Sequence, residues 1–348
     1  FTITAGYADS YPNHRGGGMV NLSSNPVLTN VIFSGNFASS YGGGMYNSSS
    51  NPTLTNVTFS ANKANQWGGG MDNDSGNPTL TNVTFSDNSA PEGGGLHNTY
   101  GSPVMMNVTF SGNSVSGNGG GMWSNAGSST LTNVTFSGNS ANGNGGGMYN
   151  SQGSPTLTNI TFSGNTADSN GGGLYNYNYY STNLQIRNTI FWGNTAVRGA
   201  QLSNYWINSP LISDSVIQGG CPAGSTCTNV ISTDPNLGTF GNYGGFTMTF
   251  PILAGSSAID TGNDTICPAT DQRGVARPQP AGGQCDIGAF EYALDTTAPL
   301  VLSSTRVSAS PATSSASADF TVTFSEPVAG VSAGDFTLTT TGVSGAAV

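Results

Sequence analysis

The sequence predicts an all-β fold, a right-handed parallel β-helix with about 26 residues in each coil. Three observations support this prediction: a glycine triplet recurs, a ten-residue phrase recurs between triplets, and that phrase is rich in strand-forming residues. The triplets begin at residues 16, 42, 68, 93, 119, 145 and 171, so successive triplets are 26, 26, 25, 26, 26 and 26 residues apart. A fixed period of this length is typical of solenoids, and seven triplets predict roughly eight coils.

The phrase between triplets predicts short strands. It reads TLTNVTFSAN at 53–62, TLTNVTFSDN at 79–88, TLTNVTFSGN at 130–139 and TLTNITFSGN at 156–165. Thr, Val, Leu and Phe favour strands, and Asn, Ser and Gly favour the turns between them. We expect each strand to pair with the next coil about 4.8 Å away. In one coil the inward side chains would be Met45, Leu54, Val57 and Phe59.

The glycine triplets are interpreted as corners of the coil. Glycine allows backbone conformations that are closed to residues with a Cβ atom, and it allows successive coils to approach closely. A phosphate-binding loop is not supported, because GxxxxGK[ST] requires a Lys after the glycines and none of the triplets has one.

Asparagine recurs at two positions of the coil. One column contains Asn56, Asn82, Asn107, Asn133 and Asn159, and the other contains Asn36, Asn62, Asn88, Asn113, Asn139 and Asn165. Stacked amides can hydrogen-bond from coil to coil, and Asn tolerates the left-handed conformation that corners need. The alternative is glycosylation, because NVT and NIT are acceptor sequons.

The repeats resemble those of bacterial polymorphic outer membrane proteins, whose signatures are a GGA-plus-apolar tetrapeptide and FxxN. Here GGGM or GGGL and FSGN, FSAN or FSDN stand in their places, over residues 1–205. The resemblance implies a secreted or surface-exposed bacterial protein with a role in adhesion. It carries no catalytic residues.

Residues 206–294 differ in character from the repeats. The segments SSAIDTGN at 256–263, DQRGVARP at 271–278 and CDIGAFEY at 285–292 resemble the choice-of-anchor Q domain. This resemblance implies a C-terminal cap on the β-helix, export and surface display. The chain's densest ionic cluster lies here and is interpreted as ion pairs of the cap, with a charged active site as the alternative: Asp271, Arg273, Arg277, Asp286 and Glu291.

The four cysteines of the chain all lie between residues 221 and 285. The pairs nearest in sequence are Cys221 with Cys227 and Cys267 with Cys285, although four cysteines allow three connectivities. A metal site is not supported, because there is no CxxC and the chain has only two histidines, His14 and His97. Disulfides would place the protein in an oxidising, extracellular compartment.

Residues 295–348 are expected to form a linker and an incomplete domain. DTTAP at 295–299 is typical of a linker. ADFTVTFSEPV and DFTLTTTG are similar to the opening strands of a bacterial Ig-like domain, but such a sandwich needs about 100 residues. We therefore expect the natural chain to continue past residue 348. FTITAGYA at 1–8 fits the middle of a coil, so we expect the natural chain to begin before residue 1 as well.

Composition argues against two classes of partner. Only seven residues are Lys or Arg and the net charge is −10, which disfavours nucleic acid. No apolar run approaches the ~18 residues that span a bilayer.

Asp72 and Asp74, with Asp87 and Glu92 one coil later, form the only acidic neighbourhood in the coils. Calcium could bind there, and a solvated corner is the favoured alternative, so we expect no cofactor.

Aromatic residues give the best candidate for a binding site. The residue after the inward Met or Leu should face outward, and in four coils it is Tyr46, Trp123, Tyr149 or Tyr175. We expect an exposed aromatic ladder, extended by Tyr177, Tyr179 and Tyr180, that could hold sugar rings or a protein. The alternative is cross-coil packing that binds nothing.

These features favour a structural or adhesive protein of the cell surface that is not an enzyme. Exposed strand edges of the coils or of the Ig-like region could pair between copies and form an extracellular filament. The alternative function is binding or cleavage of a carbohydrate, because polysaccharide lyases and pectinases also use parallel β-helices.

Overall fold

The computed structural model describes residues 1–10, 14–179, 183–205, 209–293, 299–307, 319–325, 328 and 330–337. The chain divides into two compact units, Phe1–Ala293 and Leu294–Val348. The first unit is a parallel β-helix, which confirms the predicted fold class.

Within the described residues, the β-helix contains three parallel sheets. Sheet one consists of Thr2–Thr4, Val27–Ser34, Thr53–Ser60, Thr79–Ser86, Val104–Ser111, Thr130–Ser137, Thr156–Ser163, Gln185–Arg187, Ile190–Trp192, Leu211–Ile217 and Thr226–Ile231. Sheet two consists of Tyr7–Ala8, Phe37–Ala38, Lys63–Ala64, Ser89–Ala90, Ser114–Val115, Ser140–Ala141, Thr166–Asn170 and Thr195–Arg198. Sheet three consists of Met19–Leu22, Met45–Ser48, Met71–Asp74, Leu96–Thr99, Met122–Asn125, Met148–Ser151, Leu174–Tyr177 and Leu202–Tyr205.

An asparagine bends each long strand of sheet one. Asn56 has a φ of 55°, in the left-handed region that Asn tolerates better than most residues. Leu54 before the bend and Val57 and Phe59 after it are all buried. Strict alternation from Leu54 would turn Val57 and Phe59 toward solvent. The asparagine therefore resets the alternation, and this explains why it recurs at one position of the coil.

A column of phenylalanines fills the core of the β-helix. Its members are fully buried: Phe33, Phe59, Phe85, Phe110, Phe136, Phe162 and Phe191. Successive rings stack with centroids 4.5 to 4.9 Å apart, close to the separation of neighbouring strands. Each ring therefore packs on the same ring of the coils before and after it.

A buried asparagine ladder runs beside the phenylalanines. Asn88 shows the pattern: its Nδ2 donates to Asn113 Oδ1 at 3.0 Å and to the carbonyl of Phe59 at 2.9 Å. Its Oδ1 accepts from both the Nδ2 and the backbone N–H of Asn62. The amide thus satisfies its own donors and acceptor and binds three coils together.

The glycine corners are needed because successive coils approach so closely. A Cβ atom on Gly120 would lie 2.4 Å from the carbonyl oxygen of Gly146, and one on Gly121 would lie 2.6 Å from that of Gly147. Real Cβ atoms do not approach backbone this closely. The carbonyl groups of each coil therefore require glycine in the coil before it.

The coil stack does not end at residue 205. Sheet one continues through Leu211–Ile217 and Thr226–Ile231, whereas sheets two and three end with Thr195–Arg198 and Leu202–Tyr205. The compact unit extends to Ala293, so the structure does not separate residues 206–294 from the repeats.

Residues 245–291, which we call the strap, lie along the outer face of sheet one. Thr135 Oγ1 donates to Gln272 Oε1 at 2.6 Å, and the Ala289 N–H donates to Thr161 Oγ1 at 3.1 Å. Strap residues also share an apolar cluster with sheet one that contains Ile190, Val216, Ile252, Ala258, Ile287 and Phe290. This placement on the side of the stack differs from the predicted cap on its end.

The second unit contains a small antiparallel sheet in its described part. Val301–Arg306 pairs with Phe320–Phe324, and a short 3-10 helix spans Ala333–Asp335. The Ig-like resemblance stays a prediction, and residues 295–298 of the predicted linker lie outside the described residues. In the described parts of the chain, no helix has the length and apolar character needed to cross a membrane.

Candidate ligand-binding site

Sheet three places the predicted aromatic residues in one outward column. Its members, in chain order, are Val20, Tyr46, Asp72, His97, Trp123, Tyr149, Tyr175 and Ser203. The expected exposure is wrong for two of them, because Tyr46 is only 4% exposed and Tyr175 only 7%. Trp123 and Tyr149 are half-buried. The Tyr149 ring covers Tyr175, with centroids 5.4 Å apart, whereas Tyr41 and the Arg15 side chain cover Tyr46.

The stack of rings includes residues that the sequence did not point to. In order it runs Tyr41, Trp67, His97, Trp123, Tyr149 and Tyr175, with centroids 4.8, 5.0, 4.3, 6.1 and 5.4 Å apart. Tyr41 and Trp67 occupy the position just before a glycine triplet in two successive coils, and this pair of aromatics at one coil position is the signal that could have pointed to them. Because neighbouring rings cover each other's faces, the stack has the geometry of cross-coil packing.

His97 and Asp72 form a buried pair within this stack. His97 Nδ1 lies 2.6 Å from Asp72 Oδ1, and each side chain is 3% exposed. The rings of Trp67 and Trp123 stack on the imidazole. Burial raises the pKa of the Asp72 carboxyl, and the neighbouring His97 opposes this rise. The carboxylate fixes the orientation of the imidazole, and the two Trp rings restrict access to its faces.

A pocket of about 300 Å³ opens beside this pair. Tyr41, Tyr46 and Trp67 form its aromatic walls, and Trp67 remains 40% exposed. The Arg15 guanidinium carbon lies 5.1 Å from the ring centroids of both Tyr41 and Tyr46, and Arg15 NH1 donates to Tyr46 Oη at 3.1 Å. Burial raises the pKa of the Tyr46 phenol, which is therefore neutral.

The polar lining of this pocket, which we call the Arg15 pocket, offers both donors and acceptors. Arg15 provides a cationic donor, and Asp74 provides a half-buried carboxylate that also accepts from Ser75 Oγ at 2.9 Å. Ser48 and Thr99 add hydroxyl groups. Donors, acceptors and apolar ring edges together suit a ligand that carries several hydroxyl groups.

The predicted acidic neighbourhood does not assemble into one cluster. Asp72 and Asp74 line the Arg15 pocket, whereas Glu92 lies in the column of Trp67 and accepts from Asn118 Nδ2 at 3.4 Å. Asp87 sits at a corner with a φ of 56°. No three His, Cys, Asp or Glu side chains in the described ranges are arranged to hold a metal ion. Calcium therefore stays the weaker alternative to a solvated corner, as in the sequence analysis.

The ionic residues of the strap come together as two buried ion pairs. Arg277 NH1 lies 2.7 Å from Glu291 Oε2, and Arg273 NH2 lies 2.7 Å from Asp271 Oδ2. The Arg273 guanidinium also lies 3.4 Å from the centroid of the Phe290 ring. Burial lowers the pKa of Arg277 and raises that of Glu291, and the pairing with each other opposes both shifts.

The acidic groups of this cluster also bind strap backbone. Asp271 Oδ1 accepts from the N–H groups of Arg273 and Val275, and Asp286 Oδ1 accepts from that of Asp260. Burial raises the pKa of Asp286 to about 7. These bonds hold the strap loops in place, which favours the structural interpretation of the cluster over an active site.

Both disulfides join the cysteines nearest in sequence. Cys221 pairs with Cys227 and Cys267 pairs with Cys285, with Cα atoms 6.0 and 6.7 Å apart. Cys285 lies in the strap beside Asp286, so one disulfide reinforces the ionic cluster. Cys221 lies in the loop that follows the last strand but one of sheet one.

Comparison with known proteins gives one match. Residues 7–141 and 77–196 match the family model described as a right handed beta helix region, and together they span more than half of the 348 residues. No curated protein and no solved structure matches the chain.

Proposed function

The chain belongs to the right-handed β-helix family, and from this premise we propose that it is a structural and adhesive protein of the cell surface or extracellular space, not an enzyme. In this role the coils are a stiff spacer, and the Arg15 pocket holds a surface glycan. The observation that carries the proposal is the pocket itself, which combines Arg15, Asp74 and the exposed part of Trp67 at one end of a repetitive stack.

The ligand class follows from the chemistry of the pocket. A sugar ring offers hydroxyl groups that can accept from Arg15 and donate to Asp74, and its apolar C–H groups can pack on the exposed part of Trp67. The pocket volume of about 300 Å³ is at the small end of ligand pockets. We therefore propose that it holds one or two sugar units of a longer glycan.

The proposed location rests on the cysteines and on the resemblance of the repeats. All four cysteines are paired, and disulfides persist in oxidising compartments outside the cytoplasm. Repeats similar to those of polymorphic outer membrane proteins imply surface exposure. Filament assembly stays a separate prediction.

Carbohydrate cleavage is the second candidate, and one observation favours it. The contact between His97 Nδ1 and Asp72 is the geometry of an imidazole oriented by a carboxylate to act as a general base. Binding without cleavage remains the preferred function, because Trp67 and Trp123 cover the imidazole faces and the strap cluster lies elsewhere on the molecule.

A glycan-binding assay with product analysis tests both candidates. We expect the wild type to bind at least one member of a panel of bacterial and host glycans, and Asp74→Asn to weaken that binding at least tenfold with an unchanged Tm. Phe246→Ala is the control, because Phe246 is a 47% exposed aromatic in the strap. It should bind as the wild type does.

Two results would contradict the proposal. Equal glycan binding by the wild type and Asp74→Asn would show that the glycan does not bind in the Arg15 pocket. Shortened glycan products that disappear in His97→Gln would establish the second candidate, cleavage, in its place.

A further inference from the structure

The last glycine corner, at residues 199–202, differs from the earlier corners in its backbone N–H groups. In the preceding corner, three N–H groups donate to carbonyl groups of the next coil: Gly171 to Arg198 at 3.0 Å, Gly173 to Ala200 at 2.9 Å and Leu174 to Gln201 at 3.1 Å. Pairing of Leu174 with Leu202 makes Gly199, Gln201 and Leu202 the equivalent donors of the last corner. In the described part of the chain, none of these three N–H groups donates a hydrogen bond. They are therefore free to donate to a ligand.

A loop of the same chain, residues 218–225, lies against this corner and encloses a pocket of about 650 Å³ with it. The loop is tethered at two points, because Gln201 Nε2 donates to Gln218 Oε1 at 2.9 Å and Asn204 Nδ2 donates to Ser225 Oγ at 2.9 Å. One of the two disulfides closes the loop itself. The pocket is therefore formed before a ligand binds, which lowers the entropic cost of binding.

The lining of the pocket favours an anion, although the chain as a whole has a net charge of −10. Arg198 lines the pocket, and no Asp or Glu is among the described residues around it. No carboxylate in the described ranges is close enough to Arg198 to form an ion pair. Gln218 Oε1 accepts from Gln201 Nε2 and from the Gly193 N–H, which leaves Gln218 Nε2 as a further donor. A cation without a partner and several donors together attract negative charge.

The size and the walls of the pocket favour a carboxylate on a larger molecule over a bare ion. The volume is about twice the 300 Å³ of the Arg15 pocket and lies in the usual range of ligand pockets. Ala200, Pro222 and Ala223 add apolar surface, and Ser203 adds a hydroxyl group. One guanidinium matches the single charge of a carboxylate, whereas a phosphate group carries about −1.5 to −2.

We propose that this pocket, which we call the Arg198 pocket, binds a small hydroxylated carboxylate such as a free sugar acid. The Arg198 guanidinium and the N–H groups of Gly199, Gln201 and Leu202 hold the carboxylate, and the Gln218 amide donates to the same ligand. The Arg198 pocket shares no lining residue with the Arg15 pocket, which includes residues of the first coils. It is therefore independent of the glycan site proposed above.

Calorimetric titration with sodium glucuronate and with glucose tests the site, because the two probes differ in the carboxylate. The whole chain carries Asp74→Asn in each titration, so that the Arg15 pocket contributes little. We expect glucuronate to bind at least tenfold more tightly than glucose, and Arg198→Gln to weaken glucuronate binding at least about tenfold. Arg187→Gln is the matched control, because Arg187 donates to Gln185 Oε1 on sheet one and does not line the pocket. It should bind as its parent does.

Hydrogen exchange with and without glucuronate locates the contact on the backbone. Bound glucuronate should slow exchange at residues 199–202, because their N–H groups gain an acceptor. Exchange at residues 171–174 should not change, since these residues already donate to the next coil. Circular dichroism verifies that each variant is folded.

Four results would overturn the proposal. Glucuronate that binds no more tightly than glucose would exclude recognition of the carboxylate. Inorganic phosphate that binds more tightly than glucuronate would assign the pocket to a different anion. Equal glucuronate binding by Arg198→Gln and Arg187→Gln, or unchanged exchange at residues 199–202, would show that the carboxylate does not bind at this corner.

Discussion

The repeated coils and the strap are stabilised in different ways. In the coils, a few contacts recur at every turn, such as the stacked rings from Phe33 to Phe191 and the asparagine amides beside them. In the strap, each contact is made once: one Arg277–Glu291 pair, one Arg273–Asp271 pair and one Cys267–Cys285 disulfide. Repetition spreads stability over the coils, whereas the strap depends on single residues.

The largest expected effect concerns the phenylalanine column. Phe110→Ala should lower the free energy of unfolding by about 3–5 kcal/mol, because the ring is fully buried and stacks on Phe85 and Phe136. Chemical denaturation measures this loss. The 47% exposed Phe246 of the strap is the control, and Phe246→Ala should cost less than about 1 kcal/mol. Similar losses of unfolding free energy in Phe110→Ala and Phe246→Ala would contradict the proposed difference between the coils and the strap.

The next effect should be confined to the strap. Arg277→Met leaves the Glu291 carboxylate buried without its partner and should destabilise the strap by about 3 kcal/mol. Limited proteolysis should then cut within residues 245–291 while the β-sheet signal in circular dichroism is kept. The double variant Arg277→Met/Glu291→Met should recover part of the loss, since it removes the unpaired charge. A double variant that is no more stable than the single one would contradict this.

The smallest effect is a pH dependence of the strap. Burial raises the pKa of Asp286 to about 7 and also raises that of Glu291, so the folded state binds protons more tightly than the unfolded chain. This contribution to stability is fully present below about pH 4 and is lost as pH rises through 7. The unfolding free energy should fall by at least about 1 kcal/mol over this range.

Thermal melts between pH 4 and pH 8 measure this dependence. Asp286→Asn cannot titrate at this position, so its melting temperature should change less over the same range. A wild-type Tm that rises with pH, or the same pH profile in both proteins, would show that Asp286 is not the responsible group.

The sequence predicted the coils well because their contacts are local and repeated. The 26-residue period gave the parallel stack, and the alignment of Tyr46, Trp123, Tyr149 and Tyr175 gave their common column. The period could not reveal that Tyr41 and Trp67 enter the stack from a neighbouring column. Nor could it show that the ring faces cover each other, because that depends on side-chain directions.

The strap was harder to predict because its contacts are neither local nor repeated. Its segments pointed to a cap, but its position depends on contacts far apart in the chain, such as Gln272 with Thr135 and Ala289 with Thr161. Each of these occurs once and leaves no periodic signal. The Arg15 pocket was also hard to predict. It exists because the residues at equivalent positions of several coils differ from one coil to the next, and a periodic pattern does not show such differences.

Hydrogen exchange measured by mass spectrometry along the whole chain tests the central difference most directly. We predict that amides in the long strands between residues 53 and 163 exchange slowest and nearly together, because every coil shares the same ladders. Strap amides in residues 245–291 should exchange earlier and as a separate group. Strap amides that exchange together with the coils, or after them, would contradict the account.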